Sequence, residues 1–336
     1  MSERGPAVNS AKVVALGGGH GLHATLTALR RVSDDLTAVV TVADDGGSSG
    51  RIRHELPVLP PGDLRMALSA LAGDGPHHQA WAQLLQHRLG GIGALAGHPV
   101  GNLVLTGLLE RDDADPVRAL TQVAQLVGAV GRVLPMSCVP LDLVAEADGF
   151  DPVDPGRTRR IRGQSSIAAT PGRVRSVQLL PAGAPACPEA VDAVREADLV
   201  VLGPGSWFTS VIPHLLLREL GRALSRTRAR VVVTLNLVPQ PGETDGFEPT
   251  DLLRVLCEHA EPVGGLRVHT VLADSDVVGD EKDLANFTRT IGASLILSRL
   301  ASDSSADLHD PVRLAEAYRS VLDEDAPRES GGRTWR

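Results

Sequence analysis

The residues best equipped for chemistry fall in one short stretch, Thr-Val-Ala-Asp-Asp-Gly-Gly-Ser-Ser-Gly-Arg-Ile-Arg, from Thr41 to Arg53. An apolar run, Leu36 to Val42, ends in two adjacent carboxylates, Asp44 and Asp45. Such a pair can hold a divalent ion or a ribose hydroxyl. Gly46, Gly47, Ser48, Ser49 and Gly50 follow, then the guanidinium groups of Arg51 and Arg53. Glycine lets backbone N–H groups converge on a ligand with no Cβ in the way. Serine hydroxyls and the planar arginine fork bind phosphate oxygens. A polar hairpin tip with Gly-Gly at its turn would give the same composition. A second glycine cluster, one βα unit upstream, favours a ligand loop.

That cluster is Gly17-Gly18-Gly19-His20-Gly21. It separates a predicted strand, Lys12 to Leu16, from a predicted helix, Leu22 to Val32, in which Leu22, Leu26 and Leu29 recur at helical spacing. With the strand Leu36 to Val42 these elements form a βαβ unit, whose crossover should be right-handed. The amides of Gly18 and Gly19, at the helix N-terminus, make an anion site. His20 either touches a phosphate or sits in a plain turn. Against the dinucleotide fingerprint, Gly17 and Gly19 fit, but Leu22 stands where the third glycine belongs.

Two further loops follow predicted strands. Gly203-Pro204-Gly205-Ser206 comes directly after Leu199 to Leu202. Gly205 permits close approach, and Ser206 and Thr209 offer hydroxyls at the start of a helix expected over Thr209 to Leu224. Asn236 ends the strand Arg230 to Asn236 and opens a loop to Asp245. Asn236 is placed to bind a base or sugar hydroxyl; Glu243 and Asp245 either join it or cap the next helix. Two smaller segments add polar groups. Pro61 to Arg65 places Asp63, as N-cap of Leu64 to Leu71, beside Arg65. Gly97 to Asn102 can bring His98 and Asn102 into the cleft. Ligands of open parallel sheets bind at the carboxyl ends of strands, which is where these loops fall.

The elements that must position these groups are legible in composition. The 336 residues are 43% hydrophobic but only 2% aromatic, so the core must be aliphatic. That suits a buried parallel sheet flanked by helices. The expectation is a single α/β domain over residues 11–323, with a mostly parallel Rossmann-like sheet, helices on both faces and a helical insert at about 63–130. Residues 1–10 read as a polar leader and 324–336 as a disordered tail. Val133 to Val139 and Leu141 to Glu146 read as a strand hairpin.

A net charge of −8 and the scarcity of aromatics argue against nucleic-acid binding. Cys138, Cys187 and Cys257 are far apart, match no zinc or redox spacing and read as buried thiols. The first residues lack a signal-peptide core, and no apolar stretch reaches the ~20 residues a membrane helix needs. The expected setting is cytoplasmic, without membrane insertion. There is no Walker lysine, Gly-x-Ser-x-Gly elbow, His-Glu-x-x-His or Cys-x-x-Cys.

Taken in order, Gly17 to Leu22, Thr41 to Arg53, Pro61 to Arg65, Gly97 to Leu105, Gly203 to Pro213 and Asn236 to Thr244 resemble the bacterial gluconeogenesis-factor (YvcK-like) family. Those proteins are related to the CofD-like 2-phospho-L-lactate transferases. The resemblance spans roughly Val13 to Ala273. It implies a Rossmann-like fold and, in the gluconeogenesis-factor branch, binding of UDP-N-acetylglucosamine with a role in cell shape and envelope synthesis on gluconeogenic carbon sources. In the transferase branch it implies transfer of a phospholactyl group from a GDP-linked donor, with Mg²⁺. The serine-rich run Gly46 to Gly50 looks like the first branch. His20 stands where the family often has threonine, Met66 where asparagine often follows, and Trp207-Phe208 where Leu-Tyr is usual. With the arginine-rich composition these departures point to an actinobacterial member.

The favoured expectation is a binding protein without turnover. Gly18, Gly19, Asp44 to Ser49 and Gly203 to Ser206 would cradle a diphosphate; Arg51 or Arg65 would neutralise it; Asn102 and Asn236 would orient base or sugar. No cofactor is required, and Mg²⁺ enters only if Asp44 and Asp45 serve a transferase. An NAD(P) oxidoreductase, with Asp44 on the ribose, is the third alternative. The expected partner is a small-molecule nucleotide sugar. Self-association and phosphorylation by a Ser/Thr kinase, at Thr334 in the tail, stay open.

Overall fold

The computed structural model describes residues 9–111, 115–151, 153, 154, 156–240 and 242–323. The leader up to residue 8, the tail 324–336 and Thr334 lie outside the described residues.

Seven strands form one parallel sheet: β1 (Asn9–Gly17), β2 (Ser33–Val40), β3 (Arg132–Pro135), β7 (Leu199–Leu202), β8 (Arg230–Thr234), β9 (Thr270–Asp274) and β10 (Ser294–Ser298). Between β3 and β7 the chain builds a separate antiparallel sheet from β4 (Asp142–Asp148), β5 (Arg159–Arg162) and β6 (Arg173–Leu180). A terminal hairpin, β11 (Ala301–Ser302) and β12 (Ser305–His309), follows β10. The order of the main sheet is β10-β9-β8-β7-β1-β2-β3, parallel throughout. The chain therefore runs outward from β1 to β3, returns beside β1 as β7, and runs outward the other way. Right-handed crossovers in opposite directions put their helices on opposite faces. Loops leaving β1 and β7 diverge and open a crevice at the strand ends.

The interior is aliphatic, as composition demands: Val13 to Leu16 and Leu199 to Leu202 are buried, as are Val231 to Val233 and Val271 to Ala273. Helix Gly19–Leu29 packs against Pro61–Ala70 and Pro311–Asp323, while Pro188–Glu196 packs against Arg218–Arg226. Between β2 and β3 come a short helix, Gly47–Glu55, and four more: Pro61–Ala70, Pro76–Gln86, Val100–Arg111 and Pro116–Leu126.

Local expectations differ from the structure at four places. The hairpin expected over 133–146 does not form: β3 pairs with β2, and β4 pairs with β5 and β6. Pro135 and Pro140 flank the junction, and neither can donate a ladder hydrogen bond. The helix expected over 209–224 is three pieces: a wide turn of π type, Trp207–Val211, then Pro213–Leu216 and Arg218–Arg226. Proline at 213 and the extended backbone of Leu217 break it. Asp63 is not an N-cap, because Pro61 starts that helix two residues earlier and leaves Asp63 in its first turn. The β11–β12 hairpin is not expected from the sequence: its strands are two and five residues long, and Ala306 and Leu308 are the only apolar residues of the second.

Candidate functional site

The glycine loop after β1 and the Asp44–Ser49 loop after β2 meet the first turn of helix Pro61–Ala70. Gly18 lies so close to this turn that a Cβ on it would come within 2.4 Å of Asp63 Oδ2 and 2.5 Å of Thr41 Cγ2. The Gly19 amide donates to the Asp63 carboxyl. The helix that begins at Gly19 is thus capped by an acid from another helix. Burial pushes Asp63 up to about 7, reinforced by repulsion from Asp44. Asp63 keeps partial exposure even though protein packs closely around its carboxyl.

Asp44 and Asp45 part company. Asp44 Oδ1 accepts from the Gly46 amide at 2.9 Å, and its carboxylate also accepts from Ser49. Ser49 Oγ in turn accepts from the Gly62 amide at 3.0 Å. Burial raises Asp44, and the hydrogen bonds from Gly46 and Ser49 only partly oppose it. Asp45 turns away: its Oδ1 accepts from the Ser165 amide at 2.8 Å, at the start of helix Gln164–Ala168. The expected Asp44–Asp45 metal pair is therefore not formed. The carboxylate that repels Asp63 is Asp44. No group of three or more His, Cys, Asp or Glu suited to a metal occurs among the described residues. Two carboxylates do suffice for Mg²⁺ when substrate phosphates complete its shell, and these all-oxygen donors fit that ion.

Above them runs a polar chain fixed at both ends by arginine. Arg51 Nε donates to His98 Nε2 at 3.0 Å, so the neutral imidazole carries its proton on Nδ1, 2.7 Å from Ser48 Oγ. Arg65 Nε donates to Asn102 Oδ1 at 2.8 Å, so the Asn102 amide nitrogen donates to Ser48 Oγ at 2.9 Å. Ser48 Oγ thus accepts twice, and its own hydrogen must be donated elsewhere. Burial holds His98 below the ordinary imidazole value, with help from Arg51, which keeps this tautomer neutral.

The two arginines differ in what remains free. Arg51 also donates to Ala96 O at 2.9 Å and Ala94 O at 3.0 Å, so it is a strut for the 94–98 loop and not a free phosphate clamp. Arg65 is 5% exposed, yet its terminal guanidinium nitrogens make no hydrogen bond or ion pair among the described residues. Burial lowers it to about 10, so it stays a cation at neutral pH.

The third and fourth loops are occupied by each other. Asn236 clamps Gly205 in both directions, Oδ1 accepting from its amide at 2.8 Å and Nδ2 donating to its carbonyl at 2.9 Å. Gly205 has φ 140° and Gly203 φ 73°, which explains their type. Ser206 Oγ donates to Glu243, whose Oε1 accepts from the amides of Phe208 at 2.6 Å and Thr209 at 3.0 Å. The anion position expected at this turn is filled by the protein's own carboxylate; Ser206 and Asn236 shape the loop, and Asn236 keeps one amide hydrogen and one oxygen lone pair beyond these bonds. Of the two readings open for Glu243, ligand group or helix cap, the structure shows a cap, and the turn it caps is this distant one and not the next helix.

Two cavities flank His20. One, about 130 Å³, lies between Gly21, Pro204, Gly205, Leu237 and His309. The other, about 540 Å³, is bounded by His23, Met66, Ser69, Ala82 and His87. The lining of each includes a residue with a buried polar atom that lacks a partner, His309 (Nε2) in the first and Ser69 (Oγ) in the second. Burial drives the His309 imidazole down to about 4, so it is neutral at physiological pH. Neither residue carried a signal in the sequence: Ser69 reads as a helix residue, and His309 as loop.

The chain as a whole is similar to known proteins. The profile of the family described as 2-phospho-L-lactate transferase CofD matches residues 13–291. A Mycobacterium tuberculosis protein named as a candidate gluconeogenesis factor is 54% identical over 316 residues, covering 93% of this chain and 91% of its own. The gluconeogenesis factor of Listeria innocua is 41% identical over 248 residues, covering 74% and 73%. The crystal structure of a UPF0052-family protein from Bacillus halodurans is 32% identical, with a TM-score of 0.81 over 93% of this chain and 99% of that one. With the Rossmann-like order of its sheet and its loops at the switch point, the chain belongs to the gluconeogenesis-factor family, within the wider CofD family.

Proposed function

We propose that this protein binds a nucleotide-diphosphate sugar, UDP-N-acetylglucosamine by family likeness, in the crevice between the β1, β2 and β7 loops. The observation that carries this reading is Arg65: a buried cation with a free guanidinium fork, beside a Ser48 hydroxyl whose hydrogen is forced outward. An anion with several oxygens satisfies both. The cavities on either side of His20 suit the two ends of such a ligand. A cavity of about 150 Å³ can hold benzene, so the 130 Å³ pocket suits a single pyrimidine ring better than a purine. The biological role is that of the named relatives, a factor for gluconeogenic growth, with effects on cell shape and envelope synthesis exerted from the cytoplasm. No helix among the described residues is long and apolar enough to cross a membrane.

A second reading, a Mg²⁺-dependent transferase of the CofD type, is favoured by one observation, the mutual repulsion of Asp44 and Asp63. Asp44 and Asp63 would hold Mg²⁺, which would supply charge stabilisation to a departing diphosphate. Calorimetric titration with UDP-N-acetylglucosamine, with and without Mg²⁺, with GDP as control, tests both. Selective binding with the ligand recovered unchanged supports the binding protein. Mg²⁺-dependent binding of GDP, or consumption of a nucleotide-linked donor, shifts the assignment to the transferase.

A further inference from the structure

Far apart in sequence, Cys138 and Cys187 meet in the fold. Cys138 follows β3, and Cys187 precedes helix Pro188–Glu196. Two hydrogen bonds zip the segments together: the Cys187 amide donates to Met136 O at 2.9 Å, and Ser137 Oγ donates to Pro185 O at 2.7 Å. The thiols are hydrogen-bonded to each other. Cys187 Sγ also lies 3.2 Å from Glu189 Oε2, so its single proton has two acceptors, the Cys138 sulfur and the Glu189 carboxylate. Cys187 is fully buried, whereas Cys138 keeps partial exposure. The third thiol, Cys257, stands apart on helix Pro249–Ala260.

We propose that Cys138 and Cys187 are a redox modification site, closed to a disulfide by a hydroperoxide. Cys138, the exposed member, attacks as thiolate: an S–O bond forms, the O–O bond breaks and hydroxide leaves, giving a sulfenic acid. The Cys187 sulfur then attacks the Cys138 sulfur: S–S forms and S–O breaks. The hydroxide released takes the Cys187 proton, handed over through Glu189, and departs as water. The sum is two thiols and one hydrogen peroxide giving one disulfide and two waters. The shared hydrogen bond explains the division of labour: it draws the Cys138 thiol below its ordinary value and, together with burial, holds Cys187 protonated. Burial keeps Cys257 above the ordinary thiol value, which leaves it the poorer nucleophile.

The test treats the reduced, full-length protein with a small excess of hydrogen peroxide, then alkylates under denaturing conditions and maps peptides by mass. The expected product is an intramolecular crosslink of the Cys138 and Cys187 peptides, lighter by two hydrogen atoms, restored by dithiothreitol, with Cys257 still alkylated. Cys187→Ser should leave Cys138 as a sulfenic acid trapped by dimedone, and Cys257→Ser should behave as the natural protein. Equal oxidation of all three thiols, an intermolecular dimer on a non-reducing gel, or irreversible oxidation of Cys138 without a crosslink would each overturn the assignment. Cys187→Ala serves if the serine variant misfolds, since it adds no buried hydroxyl.

Discussion

His98 Nδ1 stands 2.7 Å from Ser48 Oγ, and Arg51 on the far side of the ring dictates that this nitrogen is the donor. With Asn102 donating to the same oxygen, Ser48 is left as an outward hydrogen-bond donor. Ser48→Ala should weaken binding of a diphosphate ligand roughly ten- to a hundred-fold, since a hydrogen bond to a charged group contributes about 1.5–3 kcal/mol. Arg51→Ala and His98→Ala should each weaken it less. Their effects should not add in a double-mutant cycle, because both act through Ser48. Full additivity by titration calorimetry would remove Arg51 from this chain.

Asp63 makes stability depend on pH with a definite sign. Its folded value is raised to about 7 from 3.8. Its contribution is therefore fully present below 3.8 and lost as pH rises through 7. Asp63→Asn should raise Tm at pH 8 by about 2 °C or more, and change it little at pH 4. Melting curves at the two values decide; a Tm lower at pH 8 would show that the ionised acid is held by stabilising partners that outweigh its burial.

Binding should follow the same titration. Without Mg²⁺, affinity for an anionic ligand should fall as Asp63 ionises near pH 7, through repulsion. With Mg²⁺ the fall should flatten or reverse, because the ionised acids become ligands. Affinity measured across pH 6 to 8 in EDTA and in Mg²⁺ separates the two.

Glu243 holds the loop after β7 together from within. Glu243→Ala would leave the buried Phe208 and Thr209 amides unpaired, costing about 1–3 kcal/mol for each. Thermal denaturation should show a drop of several degrees. Glu243→Gln should lose less, because an amide oxygen can still accept from both amides. Equal losses would mean that charge, and not hydrogen bonding, holds the turn.

Gly21 is required by proximity. A Cβ there would lie 2.1 Å from the Pro204 carbonyl oxygen. Gly21→Ala should cost about 1–3 kcal/mol of stability and weaken ligand binding by parting the β1 and β7 loops. Gly107, whose Cβ would meet open space within a helix, is the control: Gly107→Ala should leave Tm unchanged or raised.

The chain's own sequence determined the parallel sheet and the loops at its strand ends. Runs such as Val13 to Leu16 and Leu199 to Leu202, each ending in glycine, can be buried on both faces only in a sheet covered by helices. It also determined which residue types gather there: Gly18, Asp44, Ser48, Asp63, Arg65 and Asn102 were all readable as ligand-directed. Only the tertiary structure decided what each one faces. Adjacent carboxylates separated, Asp44 toward Asp63 and Asp45 toward Ser165, because side-chain direction depends on the turn and on which distant amide is nearest. Of two arginines in similar motifs, one is used up by the carbonyls of Ala94 and Ala96 and the other keeps its fork free. Glu243 fills a helix start that composition offered to a phosphate, and Cys138 found Cys187 across 48 intervening positions. Periodicity and composition report burial and local backbone, which act over a few residues. Hydrogen-bond partners and ionisation states are set by neighbours that only chain closure brings together.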